Sequence, residues 1–551
     1  MGADREGEGS GTVRSGRAGR GGAPEAASEG LPRPGRLPRP WQRAYPRHVP
    51  TTWAYPDVAV TRLLDDAAAD FPGRPAWRCG RTTRTFRELL DAVDRFAVAL
   101  GALGIGPGER VGVLLPAEPA HLVTLLATWR CGASVVPVDP DAAPAEMASA
   151  LSGEGCRVVV CAERGYPALA ALKGRLPGVR HVVAAAEGEG LAAPAAVVAR
   201  ARAWRQRRRL ARDGVHRMDH LITAALPAPP EGLATSEAEA LVLRRGTARV
   251  ALSHGNLVAS AIQVRLWLPD VRAGDERVLA AEPLHDALGV VGGVALALLT
   301  AASLELPGST APTSLVRAAR RGRPTLAVGG PAALEVLAEA EEGVDLAALR
   351  AGLCVAGHPR TAGPGGAEAS AAQGAAQGQA QDEPTEGTAG VDAAGVDAAG
   401  VDAVEAVARA LSTRTGGRVR TAWGVPAAPV VTANPLYGRA EAGTLGVPLP
   451  DTVCTLRDPF DPGDPADPGH PADPGEPADP AASPPSRGRV AVAGPQVARW
   501  PTAAGAEEAT GAGAWLVTGL VASLDERGYL APTAGAQGPS HSEGAEHRRG
   551  P

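Results

Sequence analysis

Lysine is almost missing from this chain. Lys173 is the single lysine in 551 residues, so arginine makes up the other 54 of the 55 basic side chains. Any mechanism that turns on a lysine ammonium has one position to draw on. Aromatic residues are equally sparse, at 3%. The core must then be built from Ala, Val and Leu, which bury less area per residue and promise modest stability. The six cysteines (Cys79, Cys131, Cys156, Cys161, Cys354 and Cys454) form no CxxC pair and no metal-ligand spacing. That excludes a thiolate zinc site and a disulfide framework, and predicts buried free thiols in a reducing, cytoplasmic compartment with no metal site. Net charge is −5, which removes the general electrostatic argument for a nucleic-acid partner. The N-terminus has no apolar signal-peptide core. Ala287 to Leu304 runs 18 positions without a charge, at the lower edge of a membrane span. The run contains Gly289, Gly292 and Gly293 and lacks flanking basic residues, so it reads as a buried helix plus strand.

What the chain does contain is alternation. Residues 1–50 are rich in Gly, Arg, Pro and Glu without apolar periodicity and read as a disordered tail. From there Val60 to Phe71 has helical spacing, and Trp77 to Arg84 suits a hairpin. Thr85 caps an amphipathic helix to Leu103, with Glu88 three residues on. Strands at Arg110–Leu115, Ser134–Val138 and Arg157–Cys161 alternate with helices at Pro119–Cys131 and Pro144–Glu154, which implies parallel βαβ units. Val182–Ala185 reads as a further strand, and Ala199–His220 as a basic, solvated face. The pattern resumes with strands at Val278–Ala281, Arg323–Val328, Leu349–Val355 and Val419–Trp423. Helices are expected at Pro331–Glu341 and Val404–Leu411. Thr361 to Ala403 is low in complexity, with a Gly-Val-Asp-Ala-Ala repeat, and reads as a disordered insertion. Asp458 to Pro485 is an Asp-Pro repeat, extended and semi-rigid. Leu445–Leu456, Arg489–Ala493 and Trp515–Tyr529 are expected in a small β unit, and the last 20 residues as a second disordered tail.

One stretch carries a chemical hint. Glu239 to Leu257 reads as an apolar strand, a turn at Gly246-Thr247, a second apolar run from Val250, and a helix entry at Ser253-His254-Gly255-Asn256-Leu257. Such a turn presents backbone N–H groups and hydroxyls to a phosphate. An ordinary tight turn explains the same residues, and this stretch alone does not separate the two.

The order of further motifs resembles the adenylate-forming superfamily: acyl-CoA synthetases, firefly luciferase and nonribosomal peptide synthetase adenylation domains. Thr85-Phe-Arg-Glu-Leu89 is similar to the family's TYxEL. Gly104-Ile-Gly-Pro-Gly-Glu-Arg-Val-Gly-Val113 resembles GvxpGDrVai, Gly132 to Pro140 resembles GAxxvPlnP, and Leu252 to Leu257 resembles lsHxNl. Arg323–Pro331, Asp345–Arg350, Gly443–Pro450, Val490–Gln496 and Trp515–Gly519 fit in the same order. The resemblance runs from about Trp53 to Leu530 and implies an α/β fold: the family's large N-terminal domain, two βαβ-layered subdomains plus a small β-barrel-like subdomain. The large domain is expected over residues 51–530, interrupted by insertions at 361–403 and 458–485, with tails at 1–50 and 531–551.

The resemblance also implies a reaction, in which ATP and a carboxylic acid give an acyl-adenylate that CoA or a carrier thiol then accepts, as in fatty acid metabolism. ATP and Mg²⁺ are the implied cofactors. Carried over residue by residue, the degenerate nucleotide site comprises Gly246, Thr247 and Arg249, Trp423 and Gly424, and Thr518 and Gly519, with His285 and Gly357 on the substrate side. The family's Pro-Lys-Gly ending is absent, and Arg249 stands near the lysine's place. The Mg²⁺-binding glutamate of YGxTE has become Ala427, its hydroxyl Pro426, and the ribose-binding aspartate of TGD has become Leu520. The family's smaller C-terminal domain, with its catalytic lysine, normally begins after Leu530 and is expected to be missing from a sequence that ends at Pro551. No catalytic residue is assigned. Three readings follow: an adenylate-forming domain impaired or inactive in adenylation, an active ligase completed by a partner protein in trans, or a non-catalytic binding or scaffold protein.

Overall fold

The computed structural model describes residues 34–186, 210–226, 234–245, 248–309, 311–341, 343–358, 398–457, 487–498 and 515–533. In chain order the strands are β1 (Pro75–Cys79), β2 (Thr82–Thr85), β3 (Arg110–Leu114), β4 (Ser134–Pro137), β5 (Val158–Ala162), β6 (His181–Ala185) and β7 (His216–Arg217). They continue as β8 (Glu239–Arg245), β9 (Ala248–Ser253), β10 (Arg277–Leu279), β11 (Ser303–Leu306), β12 (Leu326–Gly329), β13 (Ala351–Ala356), β14 (Arg418–Val425) and β15 (Ala428–Ala433). The last five are β16 (Val447–Pro448), β17 (Val453–Arg457), β18 (Gly488–Ala493), β19 (Leu516–Leu524) and β20 (Leu530–Pro532).

They form three sheets. The first has seven strands in the order β7-β6-β5-β3-β4-β8-β9, the second nine in the order β16-β15-β14-β13-β12-β10-β11-β1-β2, and the third four in the order β17-β18-β19-β20. The central strands of the two large sheets pair in parallel, as their uninterrupted apolar runs require, while β8–β9, β1–β2, β14–β15 and β15–β16 pair antiparallel. The small sheet is antiparallel throughout.

Helices Pro119–Arg130 and His254–Trp267 are buried on every side, which a helix tolerates only between two packed layers. The 287–304 run is buried too, a helix passing through a π-helical stretch at Val290–Ala295 and then β11. A Cβ at Gly292 would stand 2.8 Å from Val328 of β12, so glycine lets this helix approach the second sheet. Helix Pro144–Gly153 covers the other face of the first sheet. Its Met147 and Leu151 pack with Val136, Val159, Val242 and Ala251 in a cluster separate from the main core.

Several elements reach beyond the sequence reading. Thr85 caps Phe86–Ala102 with a reciprocal Glu88 box, as predicted. Residues 34–50, expected as tail, carry two short 3₁₀ turns; Trp41 is buried, and Tyr45 meets Trp267 edge-on with centroids 5.4 Å apart. Helix Ala398–Thr415 starts six residues inside the stretch expected as a disordered insertion. The short pair Val447–Pro448, expected in the small β unit, instead extends the nine-stranded sheet. Most of that low-complexity stretch, the Asp-Pro repeat, residues 1–33 and the last residues lie outside the described residues, as does the first half, 199–209, of the basic stretch 199–220.

Candidate functional site

The two large sheets bring the C-terminal ends of their parallel strands to a common cleft. In the first sheet the chain goes from β3 to β4 on one side and then crosses back to β5 on the other. The helices that make these connections lie on opposite faces, which puts the topological switch point at the ends of β3 and β5, beside β4. Asp139 follows β4, and His121 begins the helix after β3. His285, after β10 of the second sheet, reaches across: its Nε2 lies 3.9 Å from Asp139 Oδ2. Burial, with the nearby His285 charge adding to it, pushes His121 down to about 3, and His121 Nδ1 lies 3.2 Å from the Pro116 carbonyl oxygen.

β8 runs parallel to β4, so the β8–β9 hairpin points its tip to this same edge. Arg245 pairs with Ala248, which leaves two residues for the turn. Those are Gly246 and Thr247, both outside the described residues.

Arg249 does not face the cleft. Ala251, two residues on and therefore on the same face of β9, packs in the outer cluster with Met147 and Leu151. Arg249 Nε donates to Glu154 Oε2 at 3.2 Å and its Nη2 to Glu239 Oε1 at 2.7 Å. Arg244 donates to the other Glu154 oxygen at 3.1 Å, and Arg110 to Glu239 at 3.1 Å. Burial alone would lower the Arg249 guanidinium; its bonds to Glu239 and the charge of Glu154 outweigh that and hold it above its usual range. The guanidinium is committed to two carboxylates on the face away from the cleft.

The second sheet contributes Gly357, Trp423 and Gly424, which are in mutual contact. Gly357 follows β13 with φ +88°, and a side chain there would collide with the Gly424 carbonyl oxygen and the Trp423 indole. Trp423 is fully buried, and its Nε1–H finds no acceptor among the described residues. One residue on, His358 Nδ1 stands 3.2 Å from Asp286 Oδ1 and its Nε2 2.9 Å from the Pro429 carbonyl oxygen. Glu282, half-buried, accepts the Gly330 N–H at 2.7 Å. Burial pushes its carboxyl up to about 7, against that N–H. The sequence reading placed His285 and Gly357 here but missed Glu282, Asp286 and His358. The available signal was the histidine displaced by one position beside Asp286, and a histidine directly after Gly357.

Thr518 and Gly519 lie on β19 of the small sheet. The Thr518 hydroxyl donates to the Val490 carbonyl at 2.9 Å, and Gly519 is exposed. Leu520 is buried in the main core. Ala427 is buried in the β14–β15 turn, where its carbonyl accepts the Ala498 N–H at 2.7 Å. Asn256 Nδ2 clamps the same 494–498 loop through the Pro495 and Val497 carbonyls, both at 2.9 Å.

At the positions the resemblance assigns to the nucleotide, Ala427 offers a methyl group and Leu520 a buried side chain where carboxylates are expected, and the Arg249 guanidinium is already paired, a set that does not fit magnesium–ATP. No group of three or more His, Cys, Asp or Glu side chains among the described residues is arranged to hold a metal ion. No helix among the described residues is long and apolar enough to cross a membrane. A described cavity of about 400 Å³ lies elsewhere, lined by Asp57, Thr61, Asp65, Arg130 and Ser236 among others.

The AMP-binding enzyme family model matches residues 64–229 and 249–500. The match breaks across the interval that holds β8 and the hairpin tip. The chain is 23% identical over 510 residues to a long-chain-fatty-acid–CoA ligase of Bacillus subtilis, covering 89% of this chain and 79% of that protein. A feruloyl-CoA synthase of Amycolatopsis sp. is 31% identical over 288 residues, about half (51%) of each chain. Among solved structures, ATP-bound MatB from Rhodopseudomonas palustris shares the fold, with a TM-score of 0.61 and 18% identity over 87% of this chain and 78% of that one.

Proposed function

The chain belongs to the AMP-binding enzyme family, and from that premise we propose that it is an acyl-CoA-ligase-type protein whose adenylation chemistry is impaired or lost. The observation that carries this reading is the joint replacement at the nucleotide positions. The hairpin is cut to two turn residues, Ala427 and Leu520 stand where carboxylates are expected, and Arg249 is tied to Glu154 and Glu239. Electrostatic contacts of this kind are each worth ~10²–10³ in rate, so losing several removes most of the stabilisation that adenylation needs. The scaffold around them is kept, which supports retained binding of an acyl group, a thiol ligand such as CoA, or a partner protein.

The test uses the full chain. Melting temperature is followed during titration with Mg·ATP, with an acyl-CoA, and with neither, since a ligand of the native state must stabilise it. No shift with Mg·ATP and no carboxylate-dependent pyrophosphate release are expected. Pyrophosphate release from the chain alone would overturn the reading. Release only after adding a separate lid-bearing ligase fragment would support instead an active ligase completed in trans.

A further inference from the structure

We propose that the dipeptide His285–Asp286 carries a proton-sensitive clasp, in which Asp286 and His358 tie the 283–289 segment to the ends of β13 and β15. The inference does not depend on nucleotide binding, so it stands or falls separately from the reading above.

The two side chains face opposite ways. Asp286 turns back to the nine-stranded sheet, where Oδ1 accepts the Leu288 N–H at 2.9 Å and meets His358 Nδ1 at 3.2 Å. His358 Nε2 lies 2.9 Å from the Pro429 carbonyl oxygen. An imidazole between a carboxylate and a carbonyl satisfies both acceptors only when both nitrogens carry protons. The bond set that joins the 283–289 loop to the ends of β13 and β15 is therefore complete only with His358 as imidazolium. His285 turns forward, to Asp139 of the seven-stranded sheet at 3.9 Å. The titratable groups around the clasp are His121 from the 116–130 segment, Asp139 after β4, Glu282 after β10, Glu335 on the helix after β12, and Cys354 and His358 on and after β13.

The signs agree. Glu282 has its carboxyl raised to about 7, by burial first. His358 is raised despite burial, through its bond to Asp286 and the charges of Asp286 and Glu282. Both folded values lie above the unfolded ones, so both groups favour the closed arrangement below their unfolded values. Both contributions fade as pH rises through the folded values. When both have lost their protons, two carboxylates remain in an apolar setting without their cation, and the loop is released.

Hydrogen exchange on the full chain between pH 6 and 8.5, corrected for intrinsic rates, reads this directly. Protection of residues 283–289 and 351–358 is expected to fall roughly tenfold while β3 and helix Phe86–Ala102 keep theirs. Glu282→Gln, which keeps the acceptor for Gly330, is expected to flatten most of that loss, and Asp286→Asn to lower protection at both ends of the range. Unchanged protection in the wild-type chain, a loss shared equally by β3, or a full pH slope retained in Glu282→Gln would each overturn the proposal.

Discussion

Three fully buried tryptophans show how the same residue type is used differently. Trp129 Nε1 donates to the Ala240 carbonyl at 2.8 Å and Trp267 Nε1 to that of Asn434 at 3.0 Å, while Trp423 Nε1 has no acceptor among the described residues. An unmet buried donor costs ~1–3 kcal/mol, comparable to the loss from trimming the ring. Trp423→Phe is therefore expected to change the unfolding free energy by less than about 1 kcal/mol, and Trp129→Phe and Trp267→Phe to lower it by about 2 kcal/mol or more, measured by urea denaturation. The carboxyl of Glu305 illustrates the same burial cost with a charge. It is 2% exposed, and burial pushes it up to about 7, against Ser303, Arg78 and Arg277. Its folded value exceeds its unfolded one, so its contribution is full below about 4.5 and lost as pH rises through about 7. Stability should then fall between pH 5 and 8, and Glu305→Gln should remove up to about 3 kcal/mol of that fall. The residue types at all these sites were visible in the sequence; their partners, brought from positions 111 to 167 residues away for the tryptophans, were not.

Helix His254–Trp267 shows what one element adds to a local signal. Ser253 and Asn256 form a reciprocal capping box, which the sequence shows as a helix entry. Asn256 also donates twice to the 494–498 loop, and Gln263 Nε2 reaches the Pro450 carbonyl at 2.7 Å and Gln496 Oε1 at 3.2 Å. The helix N-terminus is thus a dock for the small sheet. Ser253→Ala removes the cap alone and is expected to cost about 1 kcal/mol. Asn256→Ala removes cap and dock together and is expected to cost about 2–3 kcal/mol. Faster proteolysis near residues 494–498 should accompany only the second. Equal losses would mean that the loop is held by other contacts. Most element types and many boundaries were legible from periodicity and capping. Those that shifted, such as helix Ala398–Thr415 beginning inside a low-complexity repeat, did so because tertiary packing overrides composition.

Over the whole molecule, residues far apart in sequence close the sheets. β17 and β18 pair in register from Val453 with Ala493 to Arg457 with Arg489, although 458–486 intervene. Because closing a loop costs only about 0.6 kcal/mol per doubling of its length, the pairing does not need the long connection. Replacing 458–486 by Asn-Gly is expected to keep the melting temperature or raise it slightly; a large drop would show that the segment itself packs on the body. The α/β class and the run of family motifs follow from patterns that repeat locally, helix period against strand period and glycine turns between them.

The sequence by itself determined the α/β class and the order of most elements, and it shows Ala427 and Leu520 where the family resemblance expects carboxylates, because a residue type is a property of one position. Only the tertiary structure decided what the substitutes do. Arg249 stood near the place of a cation, but strand alternation turns it to the outer face of the first sheet, between Glu154 and Glu239. His358 followed a glycine in sequence; the meeting of β13, the β14–β15 hairpin and the 283–289 loop makes it the buried partner of Asp286. Charge in a sequence carries no direction, and pairing depends on direction and distance.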